Sequence, residues 1–253
     1  MFPSSWKLIF ISFIAVFIKF SQSAKIPNEF ILCHRSSPDF QKCFSPAVEN
    51  SIRAVSGGLK ELGIPVLEPM KVPSISINGN GGSVDLSQHY TDCVITGPVK
   101  STYLEIDSSF TKDDCHVHFK TYTDIMTMTA KYRFEGKMLL FQINGHGNAN
   151  LTSVNMIAWH NVTCAFYEKN GNEYMNITNW VEDYSPDKII FTFDNLIDGN
   201  EELSAQVLQV MNDNNHEVFE ALRHDYQKSY GAIYWQIANS VFSKIPWKEL
   251  FLE

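Results

Sequence analysis

The chain has 253 residues, of which 44% are hydrophobic and 19% charged, and it carries a formal charge of −8. That is a globular composition with room for one large domain or two small ones. It contains no basic cluster, and an acidic field repels phosphate backbones and anionic lipid surfaces, which disfavours nucleic acid and bacterial outer-membrane lipid as partners. The 18 Phe, 10 Tyr and 5 Trp residues supply enough aromatic surface to fill a core or to line a cavity.

The N-terminus reads as a secretory signal peptide over residues 1–23. Lys7 gives a positive start, "LIFISFIAVFI" (8–18) is apolar, and "SQSA" (21–24) offers small residues for cleavage. That stretch is too short to cross roughly 30 Å of hydrocarbon, so no membrane span is expected and the mature chain is a single secreted domain over 24–253. Three sequons, at Asn150, Asn161 and Asn176, predict N-linked glycans on an exported protein. Five cysteines remain, and in an oxidising compartment an odd count leaves at least one unpaired within the chain. Cys33 and Cys43 are close in sequence and are the first choice for a disulfide; nothing in the sequence pairs Cys93, Cys115 or Cys164.

Residues 45–62 predict a helix capped by Ser45, with Pro46 in its first turn and an apolar stripe through Val48, Ile52, Val55, Leu59 and Leu62. Gly63 and Pro65 stop it, and Pro69 and Pro73 continue a stiff bridge. From about 73 to 194 the period becomes two. "DIMTMTAKYRFEG" (124–136) puts Met126, Met128, Ala130, Tyr132 and Phe134 on one face, with Lys131, Arg133 and Glu135 on the other. "VNMIAWHNVTCAF" (154–166) groups Val154, Met156, Ala158, Val162, Cys164 and Phe166, with His160 among them and Asn161 opposite. "KIIFTFDN" (188–195) aligns Ile189, Phe191 and Phe193. Shorter strands are predicted at 74–78, 91–96, 99–107, 115–122, 138–144 and 173–181, an antiparallel meander. "GNGGS" (79–83) opens no helix and reads as a hairpin or loop.

After residue 200 a helical period returns. Leu203, Val207, Val210, Met211, Val218, Phe219, Leu222, Tyr226, Tyr230, Ile233, Ile237 and Val241 share one stripe, interrupted by Asn214. One helix of forty residues would run roughly 60 Å; the alternative is two helices broken at "NDNN" (212–215). So long a stripe needs cover, and only the sheet can supply it. The expected class is α+β, a long C-terminal helix wrapped by a strongly curved antiparallel sheet. Whether its apolar interior is full or hollow decides the function.

Catalytic patterns are missing: no G-x-S-x-G, no H-E-x-x-H, no P-loop. His116 and His118 share a strand face, but with no third ligand apparent they read as solvated, and no metal or cofactor is expected. His160 reads as a satisfied core histidine, and Asp194–Asn195 as a cap or approach to the long helix.

Five passages, in order, resemble the takeout and juvenile-hormone-binding protein family of insects, within the tubular lipid-binding superfamily. They are "CHRSSPDFQKCF" (33–44), "LGIPVLEPMKV" (62–72), "YRFEGKMLLFQINGHG" (132–147), "FTFDNLIDGNEEL" (191–203) and "MNDNNHEVFEAL" (211–222). The chain departs from the family pattern at Phe141, at Ile197, at Arg223–His224 and in its three additional cysteines. The resemblance implies that the proline bridge leads to a sheet edge and that an apolar tunnel follows the helix. It further implies a secreted, non-enzymatic carrier of an elongated hydrophobic molecule: a juvenile-hormone-like terpenoid, a fatty acid derivative or a pheromone. Met126, Met128, Tyr132, Phe134, Phe191 and Phe193 from strands, with Val207, Met211, Phe219, Tyr230 and Tyr234 from the helix, are the expected lining. Tyr132 is the expected polar handle, because a buried phenol needs a partner. The rival readings are a lipid or hormone-ester hydrolase and a ligand-free interaction scaffold; the receptor or delivery partner is open.

Overall fold

Three strands of more than twenty residues dominate the structure, a computed structural model that describes residues 26–79 and 84–253. The segment expected to be a signal peptide and most of "GNGGS" lie outside the described residues. In chain order the elements are α1 (Phe40–Ala54), β1 (Met70–Asn78), β2 (Val84–Thr96), β3 (Thr102–Phe110), β4 (Cys115–Met138), β5 (Phe141–Ile143), β6 (His146–Lys169), β7 (Asn172–Phe193), α2 (Glu201–Asp213) and α3 (Asn215–Phe242). The strands form one antiparallel sheet in the order β1-β2-β4-β6-β7, with β3 and β5 also paired to β4. The sheet is curved but not closed. Helix α3 packs along β7 and also touches β1 and β2, so it covers the apolar face between the two sheet edges.

The strands are longer than the sequence predicts. Segments 115–122 and 124–136 are one strand, and 173–181 runs through "SPDK" into 188–193. Pro186 interrupts the pattern without ending the strand, because β7 is an edge of the sheet and proline is tolerated there. Pro73 sits likewise in β1, the opposite edge, where the expected proline bridge arrives.

The inward-facing residues change parity at one level across all three long strands. On one side of that level Met126, Met128, Tyr132, Phe134, Leu151, Ile189, Phe191 and Phe193 point in; on the other, Thr121, Thr123, Met156, Ala158, His160, Glu182 and Tyr184 do. At the switch Asp124 and Ile125 are exposed in succession, as are Asp187 and Lys188. Asn155 adopts a φ of 49° there, a left-handed conformation that asparagine tolerates. Its amide accepts from the Tyr122 hydroxyl at 3.0 Å and donates to Asp187 at 3.0 Å. The interior thus has a Phe134 half and a His160 half.

The first helix differs from expectation. It starts at Phe40 and ends at Ala54, with Pro46 inside it. The Cys33–Cys43 disulfide and the stacked rings of Phe40 and Phe44, which pack on Phe110 and Phe251, hold its early turns, so tertiary contacts override the Ser45 cap signal. Gly58, at φ +84°, turns the chain where a Cβ would meet the Val66 nitrogen at 3.0 Å. Val55 and Leu62 are still buried, but in turns rather than on a helix.

The C-terminal stripe is two helices broken at Asn214, the alternative reading of "NDNN". The asparagines there bind the free edge of β7. Asn212 accepts from the Phe191 N–H at 2.8 Å and donates to the Phe191 carbonyl at 2.9 Å. Asn215 accepts from the Ile189 N–H, and farther on Asn239 brackets Ile177 in the same two-bond manner. A primary amide carries the donor and acceptor of a peptide group, so these side chains stand in for a neighbouring strand and blunt the exposed edge. Asn200, not Asp194–Asn195, caps α2, accepting from the Leu203 N–H at 3.0 Å.

Candidate functional site

The apolar interior between sheet and helices is the candidate site. Ten of the expected lining residues (Met126, Met128, Tyr132, Phe134, Phe191, Phe193, Val207, Met211, Phe219 and Tyr230) are buried in a single core cluster, and Tyr234 packs against it half-buried. Within the Phe134 half the rings interlock: Phe134 lies 4.5 Å from Tyr132, 5.0 Å from Phe193 and 5.4 Å from Tyr90. Two surface clefts lie elsewhere. One, of about 400 Å³, is lined by Asp92, Lys131, Asn148 and their neighbours, and the other, of about 450 Å³, by residues around Gly136 and Gln142. None of the eleven expected residues lines either.

Tyr132, the expected polar handle, already has a protein partner. Its hydroxyl donates to the Asp194 carbonyl, and burial raises its pKa, so it stays a neutral donor with its partner already supplied. The interior's unpaired polar atoms are elsewhere. Gln88 is 2% exposed; its carbonyl oxygen accepts from the Tyr90 hydroxyl at 2.8 Å, but its amide nitrogen is buried without a partner.

The larger group lies in the His160 half. Glu182, 1% exposed, projects from β7 toward α3, where Gly231 leaves the space: a Cβ at that position would stand 3.6 Å from the Glu182 Oε1. The His160 Nδ1 is 3.1 Å from the Glu182 Oε2, and the Tyr184 hydroxyl faces the same carboxylate, so these three groups meet one another; the Trp180 Nε1 has no protein hydrogen-bond partner. The imidazole is stacked on Phe119 at 4.3 Å, with its Nε2 3.3 Å from the Thr121 hydroxyl. His160 is thus a buried histidine with a polar neighbour at each ring nitrogen. Burial, and then the charge of Glu182, hold the phenols of Tyr184 and Tyr234 well above the ordinary tyrosine range, so both remain neutral. The interior thus carries a small polar cluster of His160, Thr121, Glu182 and Tyr184, with the Trp180 indole nitrogen beside it lacking a protein partner.

Sequence reasoning missed Glu182 and Tyr184 because Pro186 makes "VEDYSPDK" look like a loop. Carrying the period of two through it, Trp180, Glu182 and Tyr184 fall on one face; that was the available signal. It also missed the second disulfide, Cys115–Cys164, between the neighbouring strands β4 and β6. Cys93 is a buried free thiol, pushed up to about 11 chiefly by burial. His116 and His118 share an outward face as expected, but a third donor, Asp107, reaches them from β3. Asn150, Asn161 and Asn176 are all exposed.

Comparison with known proteins agrees with this architecture. The chain is 22% identical over 217 residues to the circadian clock-controlled protein daywake of Drosophila yakuba, covering 83% of this chain and 84% of that one, and 22% identical over 219 residues to the Drosophila melanogaster protein of the same name. The crystal structure of Epiphyas postvittana Takeout 1 superposes with a TM-score of 0.74 at 17% identity, covering 84% of this chain and 96% of the other, which establishes the common fold. The family model for haemolymph juvenile hormone binding protein matches residues 8–252. The chain belongs to that family, whose members bind hydrophobic ligands and are not enzymes.

Proposed function

We propose that the chain is a secreted, glycosylated carrier that encloses an elongated apolar molecule bearing an oxygen function: a juvenile-hormone-like terpenoid, a fatty acid derivative or a pheromone. The observation that carries this reading is a set of polar groups buried in the apolar interior: His160, Glu182 and Tyr184, which meet one another, and the Gln88 and Trp180 side-chain nitrogens, which have no protein partner. Each such atom costs about 1–3 kcal/mol when left unpaired, and a ligand oxygen supplies the missing partner. Apolar wall around the rest of the ligand contributes roughly 25 cal/mol for each Å² removed from water. Met126, Met128 and Met211 are the residues best able to make room, since an unbranched thioether repacks readily. The eleven residues expected to line the tunnel surround the apolar body in this reading, and the His160 half receives its polar group.

The test is native mass spectrometry of protein secreted by a eukaryotic host, followed by organic extraction. An oxygenated lipid or terpenoid released in stoichiometric amount is the expected result. Protein that carries no small molecule, and that does not take up a fluorescent fatty acid, would overturn the carrier reading. The same preparation shows whether the chain begins after residue 23 and whether Asn150, Asn161 and Asn176 are glycosylated.

A further inference from the structure

We propose a second site, on the outer face of the sheet, that binds a divalent transition ion of the zinc or copper class through His116, His118 and Asp107. It is independent of the carrier reading. His116 and His118 stand two residues apart on β4, so their side chains leave the same face. Asp107, on β3, is the direct cross-strand partner of His118. One donor atom from each of the three lies within 4.8 Å of the others.

The geometry around His116 is that of a metal ligand with its outer support in place. Its Nδ1 is 2.7 Å from an Asp114 carboxylate oxygen, and its Nε2 faces the Asp107 Oδ2 at 3.5 Å. A carboxylate on one ring nitrogen fixes the tautomer and turns the other nitrogen's lone pair toward the metal. Ligands held tetrahedrally at about 2.0–2.1 Å from zinc stand about 3.3 Å apart, close to the separation of the His116 and Asp107 donors. The His118 ring is stacked on that of His116 with centroids 4.5 Å apart. His118 is exposed and closes the set by side-chain rotation alone. Two imidazoles and a carboxylate select zinc or copper over magnesium or calcium and leave a fourth position for water. The thiolate option is closed, because the adjacent Cys115 is in its disulfide with Cys164. Bound metal would clip β3 to β4 across the face opposite the ligand interior.

The experiment is calorimetric titration with Zn²⁺, and with Mg²⁺ as a control. It is done in an Asn161→Gln background, because a glycan on that residue would stand opposite His118 on β6. Saturable binding of one Zn²⁺ per chain is expected, with no response to Mg²⁺. His116→Gln and His118→Gln should each abolish it, and Asp114→Asn should weaken it about 10–100-fold without changing the stoichiometry. Co²⁺ should give visible absorption bands that the His118→Gln protein lacks. Neither His118 nor Asp114 is buried, so these variants leave the fold intact, which the melting temperature checks. Absence of saturable Zn²⁺ binding, or binding that survives both histidine substitutions and so resides on other histidines, would overturn the proposal.

Discussion

The Phe134 half and the His160 half of the interior are built from the same three strands, yet they solve burial differently. In the Phe134 half every inward side chain on β4 from Met126 to Phe134 is apolar or, like Tyr132, has its polar atom bonded to protein. In the His160 half the inward positions include Thr121, Thr123, His160, Glu182 and Tyr184, and Thr121, His160 and Glu182 meet one another's polar atoms. The first arrangement favours stability directly; a buried carboxylate beside an imidazole contributes little to folding by itself. The change comes at the kink where Asn155 meets Asp187, although Gln88, opposite Phe134, keeps one polar atom in the apolar half.

Substitutions can break this division. Phe134→Ala should be the most damaging, costing about 3–5 kcal/mol in denaturant unfolding, because three rings close on a side chain with almost no exposure. A loss below 1 kcal/mol would mean that the Phe134 half is loosely filled and that the contrast is false. Replacing both Cys115 and Cys164 by alanine releases a loop of 49 residues at the end of the His160 half; loop-closure entropy puts the loss at about 4 kcal/mol. An unchanged unfolding midpoint would show that the sheet register alone holds that end.

Glu182→Leu sharpens the comparison. It should lower the melting temperature, since removing the carboxylate leaves the buried His160 Nδ1 without its neighbour. The affinity for a hydroxylated fatty acid should fall by about 1–3 kcal/mol, with a hydrocarbon analogue unaffected in fluorescence displacement. If stability collapses and affinity holds, Glu182 is structural. Tyr132→Phe is the smallest change and the mirror of it: about 0.5–1.5 kcal/mol of stability lost through the orphaned Asp194 carbonyl, with no change in ligand affinity. A selective loss of affinity for oxygenated ligands would return the handle to Tyr132.

The Phe134 half was legible in the sequence because its residues obey a strict period of two between charged neighbours, as Lys131, Arg133 and Glu135 do around Tyr132 and Phe134. The helical stripe was legible for the same reason at period 3.6. In the His160 half only the β6 face through Met156, Ala158, His160, Val162 and Cys164 was legible; the β4 and β7 parts were not, because a period-two reading assumes one phase per strand, and the phase changes at Asp124, Asn155 and Asp187. Past that level the pattern resumes on the other parity, and Pro186 hides it in β7. The partner of Tyr132 was also out of reach, since the Asp194 carbonyl is a backbone group and leaves no trace in residue identity. The start of α1 was misread because Phe40 and Phe44 take their partners from Phe110 and Phe251, far along the chain. Cys115 and Cys164 could be paired only once the β4–β6 register was known.

The clasp between the helices and β7 has a chemical lifetime as well as a geometry. Asparagine loses its side-chain nitrogen by slow hydrolysis and becomes aspartate. At Asn212 that would exchange a group that both gives and takes a hydrogen bond for one that only takes. The Phe191 N–H would keep its acceptor, but the Phe191 carbonyl would face a negative oxygen where it now meets an N–H. The damage would fall where α2 ends and α3 begins, loosening the helices from the strand that carries Glu182. Age would then be written into the protein at the seam between helices and sheet, and the oldest molecules would be the first to open there.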